Sequence, residues 1–193
     1  MIHLQLSVMK RGIIHLCKIG ILLLDRDFEH DIYELIKAFY PEGDIHSLYE
    51  KDEEEYDIFF TVKKENDNFV IKYETKDQKG VASAEVIRGA DGDSSQETHE
   101  KLMDAHELRK ANKDSLKYAL YNVLVKLTGR TLPWGNLTGI RPAKLAMGMI
   151  ESGMKNTEIA QEMRERYLVS AKKTALAITI ANRERALLQA IDY

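Results

Sequence analysis

Two periods of hydrophobic and polar positions divide this chain. After Lys18, residues 19–24 form a short apolar run broken by one glycine, which predicts a buried strand over residues 18–24. Asp25 and Asp27 then stand as N-cap candidates, and Ile32, Leu35, Ile36 and Phe39 recur at helical spacing until Pro41-Glu42-Gly43 stops the helix. Residues 56–63 and 69–75 read as a hairpin turning at Asn66-Asp67-Asn68. In its second strand Phe69, Ile71 and Tyr73 alternate with Val70, Lys72 and Glu74, the period of two that a half-buried sheet requires. Residues 81–88 predict a third hairpin strand.

The pattern changes after Gly89-Ala90-Asp91-Gly92-Asp93-Ser94-Ser95, a small, polar linker. Beyond it Leu102, Leu108, Leu116, Leu120, Val123, Leu124 and Leu127 predict one long helix or two, ending at Thr128-Gly129. Three more helices are expected over residues 142–152, 156–167 and 170–190. Pro142 opens the first of them and Gly153 lies just past its end, the usual placement of both residue types. The expected fold is α+β: a small, mostly antiparallel sheet with a packed helix over residues 1–88, a linker over 89–97 and an all-helical connector over 98–193.

Composition narrows the function. With 193 residues, 44% hydrophobic and 31% charged, the chain can build one sizeable core or two small ones. A net charge of -3 argues against a protein that coats nucleic acid, because phosphate binding needs a basic face. The charge is uneven: from Arg141 onward nine Lys or Arg face six Asp or Glu, so the excess of acid lies earlier. Cys17 is the only cysteine, which rules out an internal disulfide and a thiolate-held iron–sulfur cluster, since such a cluster takes three or four thiolates. Its apolar neighbours Leu16 and Ile19 predict an inert thiol in strand or core.

Lys10-Arg11 precede an apolar run, but His15 and Lys18 interrupt it well short of the ~20 residues of a membrane span, and no small-residue cleavage site follows. The expectation is a cytoplasmic protein with no membrane partner. Residues 1–11 fit no predicted element, so Met9 or a later codon is an alternative start. The acidic run at residues 50–55 reads as a solvated loop. No two of the six histidines have the i, i+4 spacing of a helical metal pair, and His99 and His106, seven apart among acidic residues, read as solvated. No phosphate-binding glycine loop or nucleophile elbow occurs, so this chain shows no catalytic residues and no metal site of its own.

The densest information lies between Leu132 and Leu145, which holds the only tryptophan, Trp134, and two of the three prolines. Gly135 and Gly139 permit tight or positive-φ turns, Trp134 can anchor the loop by burying a large ring, and Pro142 opens a helix. This segment resembles the HemZ-type, oxygen-independent coproporphyrinogen III oxidase-like radical SAM proteins, in which a W-G-x-L-T-G-I/V-R-P-x-K-L run precedes a helix, a Gly-Met, a helix ending in Tyr and a further helix leading into the barrel. Trp134-Gly135, Leu137 through Pro142, Lys144-Leu145, Gly153-Met154 and Tyr167 match that order.

The resemblance implies the N-terminal part of a coproporphyrinogen dehydrogenase, an oxidoreductase of haem and porphyrin biosynthesis that oxidatively decarboxylates coproporphyrinogen III to protoporphyrinogen IX. It also implies a [4Fe-4S] cluster and S-adenosylmethionine held by a barrel that this chain lacks, so the chain is expected to be a fragment or the product of a split gene. The implied partners are that barrel, in cis or in trans, and a porphyrinogen. Arg141 and Lys144, at a helix start, are candidates for an anion or interdomain contact.

An alternative of another class comes from Thr157-Glu158-Ile159-Ala160 followed by Val169-Ser170 and Thr174, a helix-turn-helix-like pattern that would expose Lys172 and Lys173 to DNA. The residues between Met163 and Leu168 make its turn longer than the 3–4 residues such units use. Nucleic acid is therefore the less favoured partner, and a stand-alone interaction module remains the other alternative.

Overall fold

The computed structural model describes residues 17–88 and 105–191. The expected linker at 89–97 and the N-terminal run before Cys17 lie outside the described residues. The chain divides into two compact units between Arg130 and Thr131.

The first unit is built on a five-stranded sheet. Its strands are β1 (Lys18–Leu23), β2 (Asp44–Leu48), β3 (Ile58–Glu65), β4 (Asn68–Thr75) and β5 (Lys79–Glu85), in the order β2-β1-β3-β4-β5. Helix α1 (Glu29–Phe39) connects β1 to β2, and α2 (Ala105–Thr128) follows the sheet. The sheet is mixed: β1 runs parallel to both β2 and β3, while β3-β4 and β4-β5 are antiparallel. The fold is thus α+β, with a parallel half that the expected hairpins did not include. The burial of β1 gives the reason. Ile19, Ile21, Leu22 and Leu23 are all buried, the continuous apolar run of a strand covered on both faces, whereas β4 keeps the alternation of a one-sided strand.

The two aspartates after β1 do not cap α1. The N-cap is Phe28, in left-handed backbone at φ 62° and without a side-chain cap. Asp25 instead accepts the Lys64 amide at 2.6 Å, and Asp27 accepts Arg109 at 3.1 Å. Both carboxylates brace neighbouring segments.

Helix α2 groups with the sheet and not with the later helices. Leu116, Leu120 and Leu124, at successive i, i+4 positions, are fully buried against this unit, and Phe39 of α1 meets Tyr121 of α2 edge to face at 5.3 Å between ring centroids.

The second unit holds α3 (Pro142–Glu151), α4 (Asn156–Glu165) and α5 (Ala171–Ile191), each within a residue or two of its expected limits. Its core is Ala146, Met147 and Ile150 of α3, Ile159 and Met163 of α4, and Ala177 and Ala181 of α5, closed by Tyr167 and Val169. Helix α3 ends in a Schellman motif: Gly153, at φ 89°, donates to Ile150 O, and Met154 donates to Met149 O. Met154 then packs on the core, which gives the Gly153-Met154 pair a structural role.

Candidate functional site

The Trp134 loop is pinned to the junction between α4 and α5. Within the loop, Gly135 N donates to Leu132 O at 3.0 Å and Leu137 N to Trp134 O at 3.2 Å, closing a tight turn. Three bonds then tie it across: Asn136 N to Tyr167 O at 3.0 Å, the Asn136 side-chain amide to Arg166 O at 3.5 Å, and Ser170 N to Pro133 O at 3.1 Å. Asn136 is only 2% exposed, and a buried amide of this kind needs those acceptors. Gly135 lies at φ 58° in the closest contact of all: a Cβ there would sit 1.9 Å from Tyr167 O. Trp134 packs on the core of the second unit, and the Lys173 ammonium lies 5.0 Å from its ring centroid.

After this pinned turn the chain opens outward. Gly139, at φ 70°, has nothing within 4 Å of where a Cβ would stand. Ile140 is 50% exposed. Arg141 is the extended N-cap of α3, its carbonyl accepting Lys144 N at 3.0 Å, and Pro142 takes the first turn, where its missing N–H costs nothing. The Arg141 and Lys144 side chains are both exposed, and neither forms an ion pair among the described residues. The structure therefore brings Trp134, Gly135, Gly139, Pro142, Arg141 and Lys144 into one continuous feature, rigid at its base and cationic at its tip. The sequence did not mark Asn136 as a loop anchor, and it offered Lys173 to DNA and not to Trp134. A polar residue inside a tight turn flanked by Trp, Gly and Leu was the available signal for the first, whereas the second is visible only once α5 is docked.

A second exposed feature is α5 itself. Leu176, Ile180 and Leu187 fall on one stripe of the helix and are 42%, 37% and 65% exposed, with Leu188 beside them at 58%. The buried side of the same helix is narrow and small, formed by Thr174, Ala177 and Ala181.

The helix-turn-helix pattern is not favoured by this geometry. The α4–α5 connection occupies residues 166–170, longer than a tight turn, and Lys173 is engaged on Trp134. Nor do the residues fit an iron–sulfur cluster. Cys17 is the chain's single cysteine, burial and then Asp57 push its thiol up from the ordinary value, and no group of three or more His, Cys, Asp or Glu among the described residues could hold a metal. Among those residues no helix is long and apolar enough to cross a membrane.

Over 99 residues the chain is 35% identical to the oxygen-independent coproporphyrinogen-III oxidase-like protein HemZ of Bacillus subtilis (strain 168). The chain is a distant relative of HemZ. The match takes in 49% of this chain and 20% of the length of HemZ. No family model matches the chain, and no solved structure matches it.

Proposed function

We propose that this chain serves as the N-terminal accessory segment of a radical SAM oxidoreductase resembling oxygen-independent coproporphyrinogen III oxidase, and that the Arg141–Lys144 tip contacts a propionate of the porphyrinogen. The kinship with HemZ supports the class, and the pinned loop carries the reading. A turn locked by three cross-bonds holds two cations, without an ion pair among the described residues, at the start of α3, where the helix dipole also favours an anion. In this reading the [4Fe-4S] cluster, S-adenosylmethionine and the radical decarboxylation belong to a barrel supplied in cis or in trans. The bare stripe of α5 is the surface that the barrel covers, because apolar side chains in a row gain most from being taken out of water.

Isothermal titration of the full chain with coproporphyrin III tests the contact. Saturable binding is expected, with an Arg141→Ala, Lys144→Ala double variant weaker by roughly tenfold or more, as loss of charge-assisted bonds predicts. Unchanged affinity in that variant would remove the assignment, as would the absence of binding by the parent chain.

A further inference from the structure

The first unit carries a cleft that the proposed function does not use. Strand β1 lies between β2 and β3, all three parallel, so the chain leaves β1 through α1 to one neighbour and then crosses to the other. In open parallel sheets the crevice beyond the carboxyl ends of the strands at such a reversal is where ligands bind. An open cleft of about 560 Å³ occupies that position, lined by Arg26 and Phe28 from the segment after β1, Glu29 and Asp31 from the first turn of α1, Ser47 from near the end of β2, and Arg109 from α2.

Both arginines are held by rings. The guanidinium of Arg26 lies 4.4 Å from the Tyr49 ring centroid and that of Arg109 lies 4.9 Å from that of Phe28. A guanidinium stacked on a ring keeps all its N–H donors at its edge, the arrangement suited to bidentate contact with a carboxylate or phosphate. Arg109 spends one donor on Asp27, while Arg26 has no ion pair among the described residues. The acids at the cleft are already engaged. Asp27 holds Arg109, Glu29 accepts the Tyr49 hydroxyl at 2.9 Å, and Asp31 lies 3.8 Å from Lys113 and 3.7 Å from Lys117. Of the residues lining the opening, Arg26 and Arg109 are the cations and Glu29 and Asp31 the carboxylates.

We propose that this cleft binds a small oxyanion, the phosphate or carboxylate group of a soluble ligand, through the paired forks of Arg26 and Arg109. Titration of the full chain with pyrophosphate and, separately, with citrate distinguishes the two sources. Saturable binding of at least one is expected, weakening as salt is raised. Arg26→Gln is expected to reduce it by roughly tenfold, and Arg109→Gln likewise. Arg26 is exposed, so its replacement leaves the fold standing, and Arg26→Lys is expected to fall between parent and Gln because it keeps the charge and loses the fork. The Arg141→Ala, Lys144→Ala double variant is expected to bind these anions as the parent does, which keeps this test separate from that of the porphyrin contact. Failure of both anions to bind, or full affinity in Arg26→Gln, would overturn the proposal.

Discussion

Gly135 and Gly139 share a backbone state, with φ of 58° and 70°, and differ in everything around it. A methyl group at Gly139 would meet open space, so Gly139→Ala is expected to cost about 1 kcal/mol, the penalty of holding an L-residue in left-handed backbone. At Gly135 the same methyl group would strike the carbonyl of Tyr167 and the backbone of Leu168, neither of which can rotate away. Gly135→Ala is expected to cost about 3 kcal/mol or more, the upper end of overpacking strain with the left-handed penalty added. Urea unfolding of the two variants checks this, and equal losses would show that the loop is not held at Gly135. The spacing of the glycines was legible in the sequence, as were the anchoring Trp134 and the helix-opening Pro142. Which glycine is indispensable was not, because the answer lies in a backbone more than thirty residues further along.

Among the elements, those with a strong period stand where their pattern puts them: α1 on Ile32, Leu35, Ile36 and Phe39, the β3–β4 hairpin, and the three helices of the second unit. Strand β2 was not legible. Asp44-Ile45-His46-Ser47-Leu48 is a half-exposed edge with no clean alternation, and it is a strand because Lys18 through Leu22 offer it a parallel register. Helix α2 holds a residue that its charge alone would place outside. Lys117 is 6% exposed, one turn from Leu120 and Tyr121, and burial lowers its pKa from 10.5 against the opposing pull of Asp31. The sign of the consequence is fixed. With the folded value below the unfolded one, the unfolded chain binds more protons between the two, so stability rises with pH across that window. Relative to Lys117→Met, whose side chain carries no proton, the parent is expected to gain stability as pH is raised from about 7 towards about 10. Chemical denaturation of both proteins across that range measures the difference. A difference flat with pH would mean that the ammonium is not penalised by its burial between the helices.

At the scale of the whole molecule, the division between Arg130 and Thr131 separates a sheet unit carrying the excess of acid from a helical unit that is net basic. Each unit has its own buried core, but they are unequally equipped. The helical unit has about 60 residues, near the lower limit for a single core, and every side chain from Arg183 to Ala190 is exposed, so the last turns of α5 contribute no core packing. Expressed alone, residues 131–193 are therefore expected to fold cooperatively with a stability of no more than about 5 kcal/mol. Amide protection in that fragment should be strong from Thr174, whose N–H donates to Ser170 O, to Ala181 and weak beyond Asn182, because a helix end without tertiary contacts frays. Circular dichroism melts and hydrogen exchange on the fragment provide the measurements. In the intact chain the residue and element effects then become diagnostic of this division: Gly135→Ala should lower only the unfolding transition reported by the helical unit, and Lys117→Met should change only that of the sheet unit. A single transition shifted by both substitutions would mean that the two cores fold as one, and a structureless fragment would mean that the helical core needs the sheet unit to form.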